Sequence, residues 1–127
     1  MTDSPRTQSD LIRSLIRAVD ESDHDTIAAL TAAQVHFRFG NAAPTDTQSE
    51  LLAAARSFRD AIADMRHTIL DLWEVNDGTV IGLMDVYYRR FDGRELNLPC
   101  CNVFGVHDGV VNDYRIYMDV NPVIAPL

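Results

Sequence analysis

Three Asp-Gly pairs, Asp77-Gly78, Asp92-Gly93 and Asp108-Gly109, divide the second half of the chain. Asp-Gly supplies the positive-φ positions that tight hairpin turns require. The segments they delimit are Arg66–Val75, Thr79–Phe91, Arg94–His107 and Val110–Asp119, of 10 to 14 residues each. Four strands joined by three short turns form an antiparallel meander. Strands average about 5–6 residues, so ribbons this long must twist and bend. A bent sheet needs a cover for its concave side.

The first half supplies that cover. Residues 1–8 are polar and are expected to fray, leaving one domain over 9–127. Leu11, Ile12, Leu15, Ile16 and Val19 follow Ser9 at the spacing of an amphipathic helix, with Ser9 as its expected N-cap. Thr26 to Ala33 reads as a short second helix with Ile27 and Leu30 inward. Val35, Phe37 and Phe39 alternate with His36 and Arg38 as a short strand, and a loop containing Pro44 follows. Thr47 and Glu50 form a capping box, after which Leu51, Leu52, Ala55, Phe58 and Ile62 predict a helix over 48–64. Three helices in the N-terminal half and a curved sheet make an α+β fold, with a central pocket between the layers.

Composition excludes several functions. The chain of 127 residues carries a net charge of −8 without a basic stripe, so neither nucleic acid nor an anionic membrane surface is an expected partner. No apolar run approaches the roughly 18 residues of a membrane span. The start, Met1-Thr2-Asp3-Ser4-Pro5, has no secretory pattern, and the expected location is the cytoplasm. The four histidines lack zinc-ligand spacing, and Cys100-Cys101, being adjacent, point to opposite sides of a strand and read as two buried thiols. Phosphate-cradling loops and nucleophile elbows are missing, so the expected chemistry is cofactor-independent.

Strand parity selects the groups that could face a pocket. Leu96, Leu98, Cys100, Asn102, Phe104 and Val106 share an apolar face into which Asn102 is set as a lone polar group. On the last strand Val110, Asn112, Tyr114, Ile116 and Met118 share the more apolar side. The strand from Thr79 is apolar on both sides at its centre, which predicts cover on both sides and makes Asp85 a carboxylate among apolar neighbours. Such a carboxylate needs a partner or takes up a proton. His67, Ile69, Asp71 and Trp73 share one side of the strand before it, with inner and outer undecided.

The element order and the strings Phe39-Gly40-Asn41 with Pro44, Met65-Arg66-His67, Leu98-Pro99 with Phe104, Asp108-Gly109-Val110-Val111 and Tyr114-Arg115-Ile116-Tyr117-Met118-Asp119 resemble the SnoaL-like branch of the NTF2-like superfamily, over about residues 9–123. The resemblance implies a cone-shaped sheet closed by three helices around an apolar cavity, and a homodimer formed through the outer sheet face. It includes polyketide cyclases, ketosteroid-isomerase-like and limonene-epoxide-hydrolase-like enzymes, dehydratases and non-catalytic binding proteins. Against the epoxide hydrolases, Asn41 is similar to their pocket asparagine and Asp85 to a carboxylate of their Asp-Arg-Asp triad, while Leu83 and Ile116 occupy the other two positions. Against the cyclases, His67 and Asp85 resemble a His/Asp pocket pair.

These readings converge on a cofactor-independent acid/base enzyme acting on a small apolar or cyclic, oxygenated molecule by cyclisation, isomerisation or dehydration. Asp85 is its expected acid/base and His67 the partner, since histidine exchanges protons near neutral pH. Asn41, Tyr87, Asn102 and Tyr114 are the expected substrate-orienting groups. The open alternative is a ligand-binding or dimeric interaction protein without chemistry. The acidic run Asp20, Glu21, Asp23 and Asp25 reads as a solvated loop.

Overall fold

The computed structural model describes residues 7–126. Helix α1 spans Gln8–Asp20, α2 His24–Leu30 and α3 Gln48–Asp60; strand β1 spans Thr31–Phe39, β2 Asp64–Asn76, β3 Thr79–Arg89, β4 Glu95–His107 and β5 Val110–Tyr117; a short α4 covers Asn121–Ile124. The five strands form one sheet in the order β1-β5-β4-β3-β2. The meander is antiparallel as expected, but β1 joins its far edge parallel to β5. Residues 1–6 of the expected frayed segment lie outside the described residues, while Thr7 and Gln8 belong to α1 and its cap.

Local chemistry sets the helix ends. Thr7, not Ser9, caps α1: its hydroxyl accepts from the Asp10 amide at 3.0 Å, and Asp10 reaches back to the Thr7 amide. Ser9 instead donates to Glu74 of β2 at 2.8 Å and pins the helix start to the sheet. Asp23 caps α2 by accepting from the Thr26 amide at 3.1 Å. The Thr47 capping box of α3 forms as expected. That helix stops at Asp60, because the Ala63 amide is already donating to the Arg89 carbonyl at 2.8 Å. Thr31-Ala32-Ala33 is helix-compatible by composition, yet Thr31 pairs with Val111 and begins β1. Tertiary pairing overrides a weak local preference.

Two bulges correct the face assignments. Leu70 is an extra residue between the Ile69–Met84 and Asp71–Leu83 pairs. It breaks parity, so His67 and Ile69 turn inward while Asp71 and Trp73 turn outward. Asn112 is extra between the Gly105–Asp113 and Val106–Val111 pairs, which buries Val111 together with Tyr114. Gly105 is required opposite this bulge: a Cβ there would lie 2.8 Å from Asn112 Oδ1 and 2.9 Å from Asp113 Cβ. Bulges also sharpen the bend of a sheet.

The core lies between the concave face and the helices. Leu11, Ile12, Leu15 and Ile16 of α1 pack with Val80, Met84 and Val86 of β3 in one cluster. One cation enters it at the other end. Arg90 is 3% exposed and donates to the carbonyls of Pro122 and Ala125, both at 2.8 Å, with Asp92 3.4 Å from its Nε. It fastens the C-terminal segment to the end of β3. Hydrogen bonds to a charged group contribute about 1.5–3 kcal/mol each. Arg90→Met, which keeps the stem, is therefore expected to lower stability by about 3 kcal/mol in urea unfolding and to hasten protease cleavage after Asn121.

Candidate functional site

Between α2, α3 and the concave face lies a cavity of about 60 Å³. A water's share of liquid volume is about 30 Å³ and an apolar cavity that takes benzene measures about 150 Å³, so the space by itself is smaller than a ring. Ile27, Leu51 and Phe58 roof it, and Phe37, Met65 and Met118 are among the apolar side chains beneath. The aromatic groups interlock: Phe39 meets Phe58 edge-on at 4.9 Å between centroids, and Phe37 meets Tyr114 at 5.5 Å.

Few polar groups reach this wall, and His67 is the best organised. Its side chain is 8% exposed and lines the cavity. Nδ1 lies 2.6 Å from Asp20 Oδ1, and the His67 backbone amide donates to Asp20 Oδ2 at 2.8 Å. Both oxygens of one carboxylate thus hold one residue. A carboxylate only accepts, so it places the ring proton on Nδ1 and leaves Nε2 as an acceptor. Asp20 is the last residue of α1. The helix dipole disfavours a carboxylate there, and the bonds to His67 offset that penalty. Asp20 is thus no solvated loop residue: its side chain is 19% exposed and serves the site. His67 and Met65 also border an open groove on the outer side, lined by Arg13, Arg17 and Arg66. The dyad stands in the wall between the cavity and this wetter groove.

Tyr114 lines the cavity and is 3% exposed; its ring packs on Phe37 and Phe104. Among the described residues nothing hydrogen-bonds its hydroxyl. Burial raises its pKa well above the usual tyrosine range, so the hydroxyl stays a proton donor at neutral pH. Tyr88, also raised by burial, donates to Met118 Sδ at 3.5 Å. Ser22, His24 and Arg59 stand at the cavity rim.

Four other expected site residues are placed elsewhere. Asp85 is exposed on the convex face beside Thr68 and Pro99, because the inner positions of β3 are Val80, Gly82, Met84, Val86 and Tyr88. His67 pairs with Val86 and points to the opposite face, so no His67/Asp85 pair exists. Tyr87 is also convex: its hydroxyl donates to Glu95 at 2.9 Å and the Arg66 guanidinium lies 4.7 Å from its ring centroid. Asn102 is fully buried but falls short of the cavity lining. It accepts from the Cys100 thiol at 3.0 Å and donates to Met84 Sδ at 3.6 Å. Asn41 sits exposed in the loop after β1, on a cleft next to the cavity. Burial pushes the Cys100 thiol up to about 12, so it is inert, whereas Cys101 is half-buried on the convex side. Among the described residues no helix is long and apolar enough to cross a membrane.

The architecture is shared with solved structures. An NTF2-like protein of unknown function from Burkholderia pseudomallei superposes with a TM-score of 0.85 at 17% identity, covering 93% of this chain and 97% of that one. A SnoaL-like polyketide cyclase candidate from Jannaschia sp. CCS1 gives 0.83 at 12%, covering 100% and 99%. A limonene-epoxide-hydrolase-like epoxide hydrolase from Mycobacterium tuberculosis gives 0.75 at 16%, covering 89% and 83%. No curated protein matches the sequence. The family model for the SnoaL-like domain matches residues 12–114, from the first core helix through the cavity tyrosine, and the chain belongs to that family.

Proposed function

We propose that the protein is a cofactor-independent acid/base enzyme acting on a small, apolar, oxygenated ring compound, with the Asp20–His67 dyad as its base. One observation carries this reading: a histidine in the wall of an apolar cavity has its Nδ1 held 2.6 Å from a carboxylate. His67 Nε2 takes a proton from a carbon next to a carbonyl. The electron pair moves to the carbonyl oxygen, and the Tyr114 hydroxyl donates a hydrogen bond to the enolate so formed. Return of the proton to the same or another carbon completes exchange or isomerisation. Asp20 orients the ring and stabilises its cationic form.

The second element of the proposal is a homodimer formed through the convex face. Trp73, Ile81 and Val103 form one cross-strand row there, and Leu83, Cys101 and Tyr117 the next. Trp73 is 46% and Tyr117 55% exposed. Contiguous apolar patches on monomers are uncommon, and two-fold self-association is the commonest way of covering one.

The test is deuterium uptake by cyclohexanone in D2O, followed by NMR. General-base catalysis contributes about 10²–10⁴-fold, so His67→Gln is expected to abolish at least 99% of the protein-dependent rate. Asp85→Asn is expected to leave that rate unchanged. Equal rates for wild type and His67→Gln would remove the dyad from any reaction. Binding of the ketone without exchange would favour a ligand-binding protein.

A further inference from the structure

A second space adjoins the cavity. It is an open cleft of about 610 Å³ between α3, the loop after β1 and the segment leading to α4. Phe37, Phe39, Ala54, Phe58 and Met118 line both spaces, so these side chains stand between them. The cleft is widened by small residues: Ala42 and Ala43 on the loop side face Ala54 and Ser57 of α3 and Ala61 just beyond its end. Ile124 forms the third side and is 54% exposed, a large apolar group on a wall that Arg90 holds in place. Charge is scarce: the lining contains the carboxylate of Asp119 but neither lysine nor arginine.

We infer that this cleft is the entrance to the cavity and the subsite for a neutral alkyl tail on the substrate's ring. The inference rests on the proposed reading of the cavity and adds a substrate class to it. The cavity itself is smaller than one ring, so a ring held at His67 and Tyr114 must reach toward the adjoining cleft, and its substituents must lie there. Apolar walls reward methylene groups. The lone carboxylate, with no cation to offset it, disfavours a tail that ends in an acid. The cleft therefore selects alkyl-substituted rings over ring acids.

The experiment measures dissociation constants for cyclohexanone and its 4-methyl, 4-ethyl, 4-propyl and 4-butyl derivatives by ligand-observed NMR. Burial of one methylene is equivalent to about fourfold in affinity. The series is expected to tighten by roughly sixtyfold from methyl to butyl. A butyl chain ending in a carboxylate is expected to lose most of that gain. Ser57→Trp and, separately, Ala43→Trp fill the cleft from opposite walls and touch no cavity-lining position. Either is expected to flatten the series, weakening the butyl derivative more than cyclohexanone. A flat series in the wild type with cyclohexanone bound overturns the tail subsite alone, as does a slope that survives in both folded variants. Failure of every ketone to bind overturns the cavity reading as well.

Discussion

Replacing Asp20 with asparagine is expected to lower cyclohexanone exchange by about 10²–10⁴-fold, close to the effect of removing the imidazole. The geometry dictates why so conservative a change is severe. The His67 backbone N–H donates to one side-chain oxygen of Asp20 and the ring Nδ1 meets the other. In the variant, only the amide oxygen can accept from the backbone N–H, so the amide NH2 is turned toward the ring. An NH2 group donates, and Nδ1 must then accept. The ring proton moves to Nε2, and the atom meant to take a proton from substrate already carries one. Imidazole ¹⁵N NMR reports this independently of any substrate: protonated Nδ1 in the wild type, protonated Nε2 in Asp20→Asn. A variant with the wild-type tautomer and wild-type exchange would show that Asp20 is only a structural clasp between α1 and β2.

The contrast between Asp85 and Asp20 shows what the sequence carries about this site. Asp-Gly turns, capping residues and apolar alternation act over a few residues, and they located α1, α3 and the four strands of the meander within a few positions. The inner face of β4 followed from period two alone, since Leu96 through Val106 keeps its parity unbroken. Parity failed where a residue is inserted. The bulge at Leu70 separates His67 from Asp71, and the bulge at Asn112 exchanges Val110 for Val111 on the inner side. No local pattern announces either insertion. The dyad was illegible for another reason: its members are 47 residues apart and meet only because the end of α1 crosses the start of β2. A carboxylate in the last turn of a helix, against the dipole, was the one local oddity that marked Asp20. Asp85 drew attention because apolar residues flank it on both faces of β3. The inner set belongs to the core, and the outer set is bare in a single copy of the chain.

That bare outer set leads to the second large effect. The wild-type protein is expected to sediment as a dimer at micromolar concentration, and Leu83→Asp as a monomer. Leu83 lies at the centre of the convex patch, paired with Asp71 on β2 and Cys101 on β4. A two-fold axis duplicates the substitution, so two new carboxylates enter one interface. Each lies two positions along β3 from Asp85, a carboxyl group with no arginine opposite it on β2 or β4, where Thr68 and Pro99 stand. An uncompensated buried charge costs about 3–5 kcal/mol, equivalent to a rise of at least about 10² in the dissociation constant. The monomer should keep its fold, because the substituted side chain projects away from the core cluster; an unchanged far-ultraviolet circular dichroism spectrum checks this. It should also keep the dyad, since His67 and Asp20 lie on the other side of the sheet. Wild-type protein that stays monomeric at 100 times the working concentration would leave Trp73, Leu83 and Tyr117 without a second copy to cover them, and the convex face would then belong to some other partner.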